Sequence, residues 1–234
     1  QASSSQIFGD APPPQREDSP TTPRSPYAVA KLYATHLARV YREAYGLRAS
    51  TAICFNHESP RREEPYVTRK ITRGIARILR GEQDAIVLGD LQERRDWAYA
   101  PEYMEALRRL EQRTPAEDVV IGSGVDHSVA EFAEVACAYA GLRMDRSVRT
   151  DARFARRSDG AVMRADIGKA RRLLDWSPAV SFEALAKVMV DADLHAAGLP
   201  VPGEGIEAVR HAGLGWSVAE FPAQRTHVAT HDAA

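Results

Sequence analysis

The sequence has only two cysteines among its 234 residues, Cys54 and Cys137, and they lie far apart in apolar segments. A disulfide framework is therefore not expected, and buried, reduced thiols are typical of a cytoplasmic protein. A strong net charge is also absent, since 31 basic residues oppose 32 acidic ones and leave a charge of -1. This balance gives no reason to expect binding to nucleic acid or to a membrane.

Long apolar runs are missing as well. No stretch is long enough to cross a bilayer, and the opening residues 1–5 have no basic segment followed by an apolar one, as a secretory signal would. The sequence does not begin with Met, so we expect a processed or truncated chain. Its hydrophobic content of 44% is enough for one good core or two small ones.

Helical and strand-like segments alternate along most of the chain. Helices are predicted over 27–45, 67–80, 100–112, 128–140, 166–174 and 181–195, and strands over 49–56, 85–88, 119–121 and 147–150. The alternation predicts an α/β fold in which a parallel sheet is followed by a smaller mixed lobe. Periodicity ends after Ala197, so we expect residues 198–234 to form a poorly ordered tail.

The strongest local indication of chemistry is the pair Tyr27 and Lys31, which opens a predicted helix. Residues four apart share a helix face, and such a pair is by itself most often structural. A free phenol, with a pKa of about 10, is a poor base at neutral pH. A neighbouring ammonium stabilises the phenolate and makes the phenol a better base. Here the pair also follows a Ser-rich strand end and precedes a buried strand that ends at Asn56.

This arrangement resembles the extended short-chain dehydrogenase/reductases, and further motifs are similar to those of the GDP-mannose 4,6-dehydratase family. They run collinearly along the chain: Asn56–Arg62, Val67–Ile71, Arg95–Trp97, His127–Val129, Asp166 with Lys169–Ala170, and Trp176–Pro178. The resemblance extends from Gln1 to about His195. It implies the C-terminal part of a Rossmann-type doubly wound parallel sheet, with a smaller α/β substrate-binding lobe.

A complete enzyme of this kind begins with a strand, a Gly-x-x-Gly-x-x-Gly turn and a helix that bind a pyrophosphate, and no such turn occurs in this sequence. The resemblance implies that residues 1–65 are the remainder of an NADP-binding domain. Residues 66–197 would be mainly the GDP-sugar-binding lobe, with one strand exchanged back to the sheet. A truncated gene, a partner chain or a break in the sequence record would each explain what is missing.

The resemblance implies catalytic roles for four residues. Tyr27 is the base, Lys31 supports it, and Ser4 binds the reacting sugar oxygen. NADP takes a hydride from C4 of the mannose ring, a glutamate of the family removes the C5 proton and assists loss of the C6 hydroxyl as water, and the hydride returns to C6. The product is GDP-4-keto-6-deoxymannose. Gln6 stands where the family has its glutamate.

That substitution predicts a poor dehydratase. A neutral amide cannot take up a proton at neutral pH, and general-base assistance is worth about 10²–10⁴-fold. Oxidation at C4 does not need this group. Glu17 or Asp18, in the proline-rich loop, is the alternative source of a carboxylate.

The resemblance also implies the ligand contacts. Lys31, His57 and Arg62 are expected on NADP. The candidates for binding GDP-mannose are Asn56, Arg69, Lys70, Arg95, Arg153, Arg156 and Asp159. Arginine offers a planar fork that suits phosphate, and the predicted helix start near Lys70 adds backbone N–H groups. Without the motifs, arginine pairs and runs are more often solvated surface charge.

Three functions stay open at this point. The first is a GDP-mannose 4,6-dehydratase, and the second is a nucleotide-sugar oxidoreductase or epimerase that needs only Ser4, Tyr27 and Lys31. The third is a non-catalytic remnant or a partner-dependent fragment. Gln6 favours the second, and Gln6 with the missing Gly-rich turn favours the third. By resemblance, a homodimer or homotetramer forms through the helix that carries Tyr27.

Overall fold

The computed structural model describes residues 1–154 and 162–214, which form an α/β fold as predicted. The strands are β1 (Ala2–Ser4), β2 (Thr51–Cys54), β3 (Asn56–Glu58), β4 (Ile86–Leu88), β5 (Arg94–Arg95), β6 (Trp97–Tyr99), β7 (Asp118–Ile121), β8 (His127–Ser128) and β9 (Val148–Thr150). The α-helices are α1 (Pro26–Tyr45), α2 (Val67–Leu79), α3 (Ala100–Glu111), α4 (Val129–Tyr139), α5 (Met144–Ser147), α6 (Gly168–Leu174), α7 (Phe182–Ala196) and α8 (Glu204–His211). Among the residues described, no helix has the length and apolar character needed to cross a membrane.

A parallel sheet of three strands forms one lobe, in the order β1-β2-β7. Strands β2 and β7 are fully buried, which explains their largely apolar sequence, whereas β1 is only partly buried. The predicted strand 49–56 is in fact two strands, because the chain leaves the sheet at Phe55 and β3 pairs with β6 instead. The first core, which includes Ile7, Phe55, Tyr103 and Val120, lies against this sheet.

Helix α1 begins and ends where the sequence predicts. The Ser25 side chain accepts a hydrogen bond from the backbone N–H of Ala28 at 3.1 Å, Pro26 occupies the first turn, and Gly46 ends the helix in the left-handed conformation with φ of 66°. Only Ala28 and Thr35 of this helix are buried. The helix therefore packs against the sheet along a narrow stripe and leaves most of its apolar side chains exposed.

A second core lies among α2, α4, α7 and α8, and includes Ile75, Phe132, Met189 and Val209. The strand pair β3-β6 contributes to both cores, since Ala98 belongs to the first and Trp97 and Tyr99 belong to the second. The pair β4-β9 packs with the second core, and the pair β5-β8 is antiparallel. Both cysteines are free and buried, as the sequence indicated. The division at residues 65 and 197 stays a prediction, since the first core draws on residues from both sides of residue 65.

The expected tail after Ala197 is wrong for its first part. Helix α8 packs on α7, and its Val209 is fully buried. Asp191 of α7 accepts hydrogen bonds from the backbone N–H groups of Gly203 and Ile206, both at 3.1 Å, and so anchors the start of α8. Tertiary contacts thus order a segment whose short length and glycines concealed it in the sequence. Residues 215–234 lie outside the described part of the chain.

Candidate functional site

The side chains of Tyr27 and Lys31 lie together on the first turns of α1. The Lys31 Nζ is 5.7 Å from the centroid of the Tyr27 ring, and it donates a hydrogen bond to the backbone carbonyl of Ala2 at 3.0 Å. This bond ties α1 to β1. Ser4 ends β1, and its hydroxyl accepts a 3.3 Å hydrogen bond from the N–H of Gln6, which lies in the short 3-10 helix Ser5–Phe8. Tyr27 is half exposed and accessible to a ligand.

A cleft of about 320 Å³ opens between the sheet lobe and the second lobe. Five of the residues singled out from the sequence line it: Gln6, Asn56, Arg62, Lys70 and Arg95. They come from four separate segments of the chain. Gln6 and Asn56 follow β1 and β2, so the cleft lies at the carboxyl ends of parallel strands, where ligands bind in open α/β sheets.

Three cations contribute to this cleft, and each has a different neighbour. Arg62 lies 3.3 Å from Glu58 and stacks on the ring of Tyr66, whose centroid is 3.5 Å away. The Nζ of Lys70 lies 4.6 Å from the centroid of the Phe154 ring. Arg95 pairs with Glu93 and donates to the backbone carbonyl of Arg94 at 2.8 Å. Such a cluster of cations suits a phosphate or diphosphate.

Other predicted ligand residues lie away from the cleft. Arg69 is buried and pairs with Asp193 at 2.8 Å, so its charge is satisfied within the second lobe. Arg153 is strongly exposed and pairs with its neighbour Asp151 at 2.7 Å. The structure therefore does not bring these two arginines to the site. Arg156 and Asp159 lie outside the described residues.

His57 follows the first residue of β3 and faces the interior more than the cleft. Its Nδ1 is 2.9 Å from the backbone carbonyl of Phe55, and its ring lies 4.8 Å from that of Tyr103, measured between centroids. Burial lowers the pKa of His57, and the nearby charge of Arg62 acts in the same direction. A neutral imidazole is therefore favoured at neutral pH.

The two loop carboxylates proposed to replace the missing glutamate are used elsewhere. The Oε1 of Glu17 accepts a 2.7 Å hydrogen bond from the backbone N–H of Val120, in β7, two strands away from β1. Burial raises the pKa of this carboxyl. Asp18 is exposed and pairs with Arg16 at 2.6 Å. Neither carboxylate lines the cleft with Gln6.

Sequence reasoning missed several residues of the site. Glu58, Tyr66, Asp90, Glu93 and Phe154 all line the cleft. Glu58 lies inside the motif Asn56–Arg62, which was the available signal, but its burial could not be read from the sequence. The others lie in loops or at the ends of helical segments, and the direction of these segments depends on tertiary contacts.

Asp96, also missed, holds the wall of the cleft together. It is fully buried between β5 and β6. Its Oδ1 accepts hydrogen bonds from the N–H and the hydroxyl of Ser123, both at 2.7 Å, and its Oδ2 accepts from the N–H groups of Gly124 and Ala165, both at 2.9 Å. Burial raises the pKa of Asp96, and these four hydrogen bonds oppose the shift. The carboxylate thereby joins three chain segments behind Arg95.

Solved structures with this fold act on nucleotide sugars or bind a nicotinamide cofactor. RMD from Pseudomonas aeruginosa, complexed with NADPH, matches with a TM-score of 0.75 and 25% identity, over 82% of this chain and 64% of that one. UDP-N-acetylglucosamine 4-epimerase from Methanobrevibacter ruminantium matches with a TM-score of 0.69 and 27% identity, over 81% and 60%. The fold is thus that of Rossmann-type dehydratases and epimerases.

The sequence comparison is more specific. A profile of the family described as GDP-mannose 4,6 dehydratase matches residues 1–189. GDP-mannose 4,6 dehydratase 1 of Arabidopsis thaliana is 46% identical over 197 residues, 84% of this chain and 55% of that protein. The human GDP-mannose 4,6 dehydratase is 39% identical over 212 residues, 83% and 57%. The chain belongs to the GDP-mannose 4,6-dehydratase family, and it spans little more than half the length of these curated relatives.

Proposed function

We propose that this chain supplies the catalytic Ser4, Tyr27 and Lys31 and the sugar-nucleotide cleft of an NADP-dependent GDP-mannose 4,6-dehydratase. The observation that carries this proposal is the cleft itself. It brings Gln6, Asn56 and three cations together at the carboxyl ends of β1 and β2, close in the chain to the Ser4 hydroxyl. GDP-mannose is the proposed substrate because relatives of up to 47% identity carry its name.

The cofactor residues fit a dinucleotide. Arg62 lines the cleft with a quarter of its side chain exposed, and His57 is held neutral nearby. Lys31 sits beside Tyr27, where it can contact a ribose hydroxyl as well as the phenol. NADP, when bound, supplies hydride transfer from C4 of the sugar and back to C6.

Side chains of this protein carry out the proton transfers. Tyr27 takes the proton of the C4 hydroxyl, with Lys31 stabilising the phenolate and Ser4 holding the sugar oxygen. Removal of the C5 proton needs a base near C5. Gln6 cannot serve, and Glu17 is committed to Val120. We therefore propose that oxidation at C4 is supported and that loss of water is slow.

The test is restoration of the carboxylate by Gln6→Glu. The chain and this variant are incubated with GDP-mannose and NADP, and the product is analysed by mass spectrometry for loss of one water. General-base assistance predicts an increase in water loss of about 10²–10⁴-fold. Gln1→Glu is the matched control, because it adds the same charge at the exposed residue just before β1. Tyr27→Phe in the Gln6→Glu background should abolish the gain.

Two outcomes contradict parts of the proposal. If Gln6→Glu binds NADP and GDP-mannose but loses water no faster than the parent chain, the account of Gln6 is wrong. If the parent chain binds neither ligand, the proposed function of these 234 residues fails and the non-catalytic remnant is favoured. Binding is measured separately by isothermal titration calorimetry, so that the two outcomes are distinguishable.

A second candidate is a nucleotide-sugar oxidoreductase or epimerase, and Gln6 is the observation that favours it. Epimerisation needs hydride and proton transfer at C4 but no elimination, so Ser4, Tyr27 and Lys31 would suffice. The product of epimerisation has the same mass as the substrate, and the product of oxidation at C4 is lighter by two hydrogens but keeps the water. Turnover of GDP-mannose by the parent chain with no change in mass would support this candidate over the dehydratase.

We also propose that the protein is a homodimer, or a tetramer of two such dimers, formed through α1. Its apolar side chains are unusually exposed for one helix, with Tyr33 at 67%, Val40 at 50% and Tyr41 at 44%. An exposed apolar row of this kind is unusual on the surface of a monomer. It suits packing against the same helix of a second copy.

A further inference from the structure

We propose that Glu58 is a positioning residue, which holds the guanidinium of Arg62 in place to receive a phosphate in the cleft. The inference rests on the proposed nucleotide-binding function and names a residue of that site. The phosphate belongs either to GDP-mannose or to NADP. The chemistry of recognition is the same for both, and the test below separates them.

The first observation is the burial of Glu58. It is 2% exposed, yet it lines the cleft between the two lobes. A carboxylate in such a position is costly unless it is paired and hydrogen-bonded. Its Oε2 accepts a 2.7 Å hydrogen bond from the hydroxyl of Thr68, on the first turn of α2, and lies 3.3 Å from the Nε of Arg62. The carboxylate is thus fixed from α2 and directed at Arg62.

The second observation is how the guanidinium of Arg62 is held. The carboxylate of Glu58 lies 3.3 Å from the buried Nε of Arg62 as an ion pair, without the geometry of a hydrogen bond, and the ring of Tyr66 covers one face at 3.5 Å. Phosphate binds best to a guanidinium fork through parallel N–H bonds, and the contact at Nε leaves the two terminal nitrogens to make them. Edge and face together fix the plane of the group, which pre-organises it for a ligand.

The backbone of Arg62 is held as well. Its N–H donates to the carbonyl of Ser59 at 2.9 Å, and its own carbonyl accepts a longer 3.4 Å bond from Arg69. Arg69 is in turn fixed by Asp193 at 2.8 Å. This accounts for Arg69, which does not reach the cleft but supports the loop that carries Arg62.

A simple electrostatic argument makes the opposite prediction. Glu58 is a negative charge in the wall of an anion site, so removing it should strengthen phosphate binding if position were unimportant. If Glu58 acts by positioning Arg62, its removal should weaken binding although the site becomes more positive. The sign of the effect therefore separates the two explanations, and a merely structural carboxylate would give neither.

The experiment is a double-mutant cycle on the full chain with Glu58→Gln, Arg62→Ala and the double variant, titrated calorimetrically with GDP and, separately, with NADP. One lost charge-assisted hydrogen bond corresponds to a loss of affinity of roughly 10- to 100-fold for Arg62→Ala. We expect a loss of roughly three- to tenfold for Glu58→Gln, and no further loss when it is added to Arg62→Ala. The ligand whose affinity responds identifies the source of the phosphate.

Two further variants test whether the effect is specific to the contacts of Glu58. Thr68→Val removes only the hydrogen bond to Glu58 and should weaken binding in the same direction by a smaller factor. Glu102→Gln is the matched control, since Glu102 is an equally buried carboxylate that accepts from Val180 and does not line the cleft. Unchanged or tighter binding by a folded Glu58→Gln, or equal losses with and without Arg62, would overturn the proposal.

A ligand-free measurement keeps the inference independent of the proposed function. The NMR signal of the Arg62 Nε–H should show restricted motion in the parent chain and lose it in Glu58→Gln. If the parent chain binds neither ligand, the proposed function fails, and the NMR comparison still decides whether Glu58 orders Arg62. If the Arg62 Nε–H is equally restricted in both proteins, the proposed positioning role of Glu58 is wrong.

Discussion

Replacement of Asp96 by asparagine hardly changes the size of the side chain, yet it should lower the stability of the fold strongly. Each of its oxygens accepts two hydrogen bonds, and every donor is a backbone N–H or the hydroxyl of Ser123. Asparagine keeps one acceptor oxygen but presents an NH₂ group to two donors on the other side. Two hydrogen bonds to a charged acceptor are lost, each worth about 1.5–3 kcal/mol. Relief of the buried charge offsets part of this, so we expect a net loss of roughly 3 kcal/mol.

That loss is a large share of the 5–15 kcal/mol by which a typical domain is stable, and it should lower the melting temperature by roughly 6–12 °C. Urea unfolding followed by circular dichroism measures it directly. Asp145→Asn is the control, because Asp145 is highly exposed and pairs with the equally exposed Arg143. A change below about 0.5 kcal/mol in Asp96→Asn would refute the reasoning, since such values are typical of surface substitutions.

Two other predictions concern acid sensitivity and assembly. Burial alone would raise the pKa of Asp118, but hydrogen bonds from Arg42 at 3.0 Å and Arg39 at 2.5 Å outweigh it and hold the pKa low. This carboxylate therefore stabilises the fold above pH of about 4 and loses that effect as the pH falls through its lowered pKa. Asp118→Asn should cost about 1–3 kcal/mol at pH 7 in urea unfolding, and the difference should shrink steadily below pH of about 4; a pH-independent difference would contradict this. Leu37→Glu on α1 should convert the dimer to a monomer in sedimentation analysis, whereas Met104→Glu, an exposed apolar residue on α3, should not; a monomeric parent chain would end the dimer proposal.

Local patterns were sufficient for most helices and strands. The Ser181 side chain accepts from the N–H of Ala184, and the Ser128 side chain from that of Glu131, as their positions in the sequence predicted. Ser128 and Glu131 also have the spacing of a capping box, but only half of that box forms. Glu131 does not return a bond to Ser128 and instead pairs with Arg94 and His127. Arg94, 37 residues away in the sequence, and the neighbouring His127 both lie outside the helix and bind that carboxylate instead.

The position of the cleft could be predicted from the sequence, but the partners of its charged side chains could not. Gln6 and Asn56 follow parallel strands, so their meeting at one sheet edge follows from topology. Arg69 looked like a phosphate ligand because it opens a helix in a basic motif. Its partner Asp193 comes from α7, far along the chain, and no local pattern indicates that pairing. The sequence therefore indicates which charged residues belong to the motifs. Whether each of them binds a ligand or pairs with another side chain of the protein is seen only in the tertiary structure.

The hydrogen bond that Glu17 accepts from the N–H of Val120 affects how the edge of the sheet can pair with strands of other molecules. In the described part of the chain, β7 is the last strand on its side, and an unpaired strand edge invites another strand to join it. A carboxylate seated on one of its N–H groups denies that donor to a newcomer and puts a side chain in its path. The proline-rich loop that carries Glu17 thus covers part of this strand edge, and we expect it to hinder self-association of the sheet into extended β-structure.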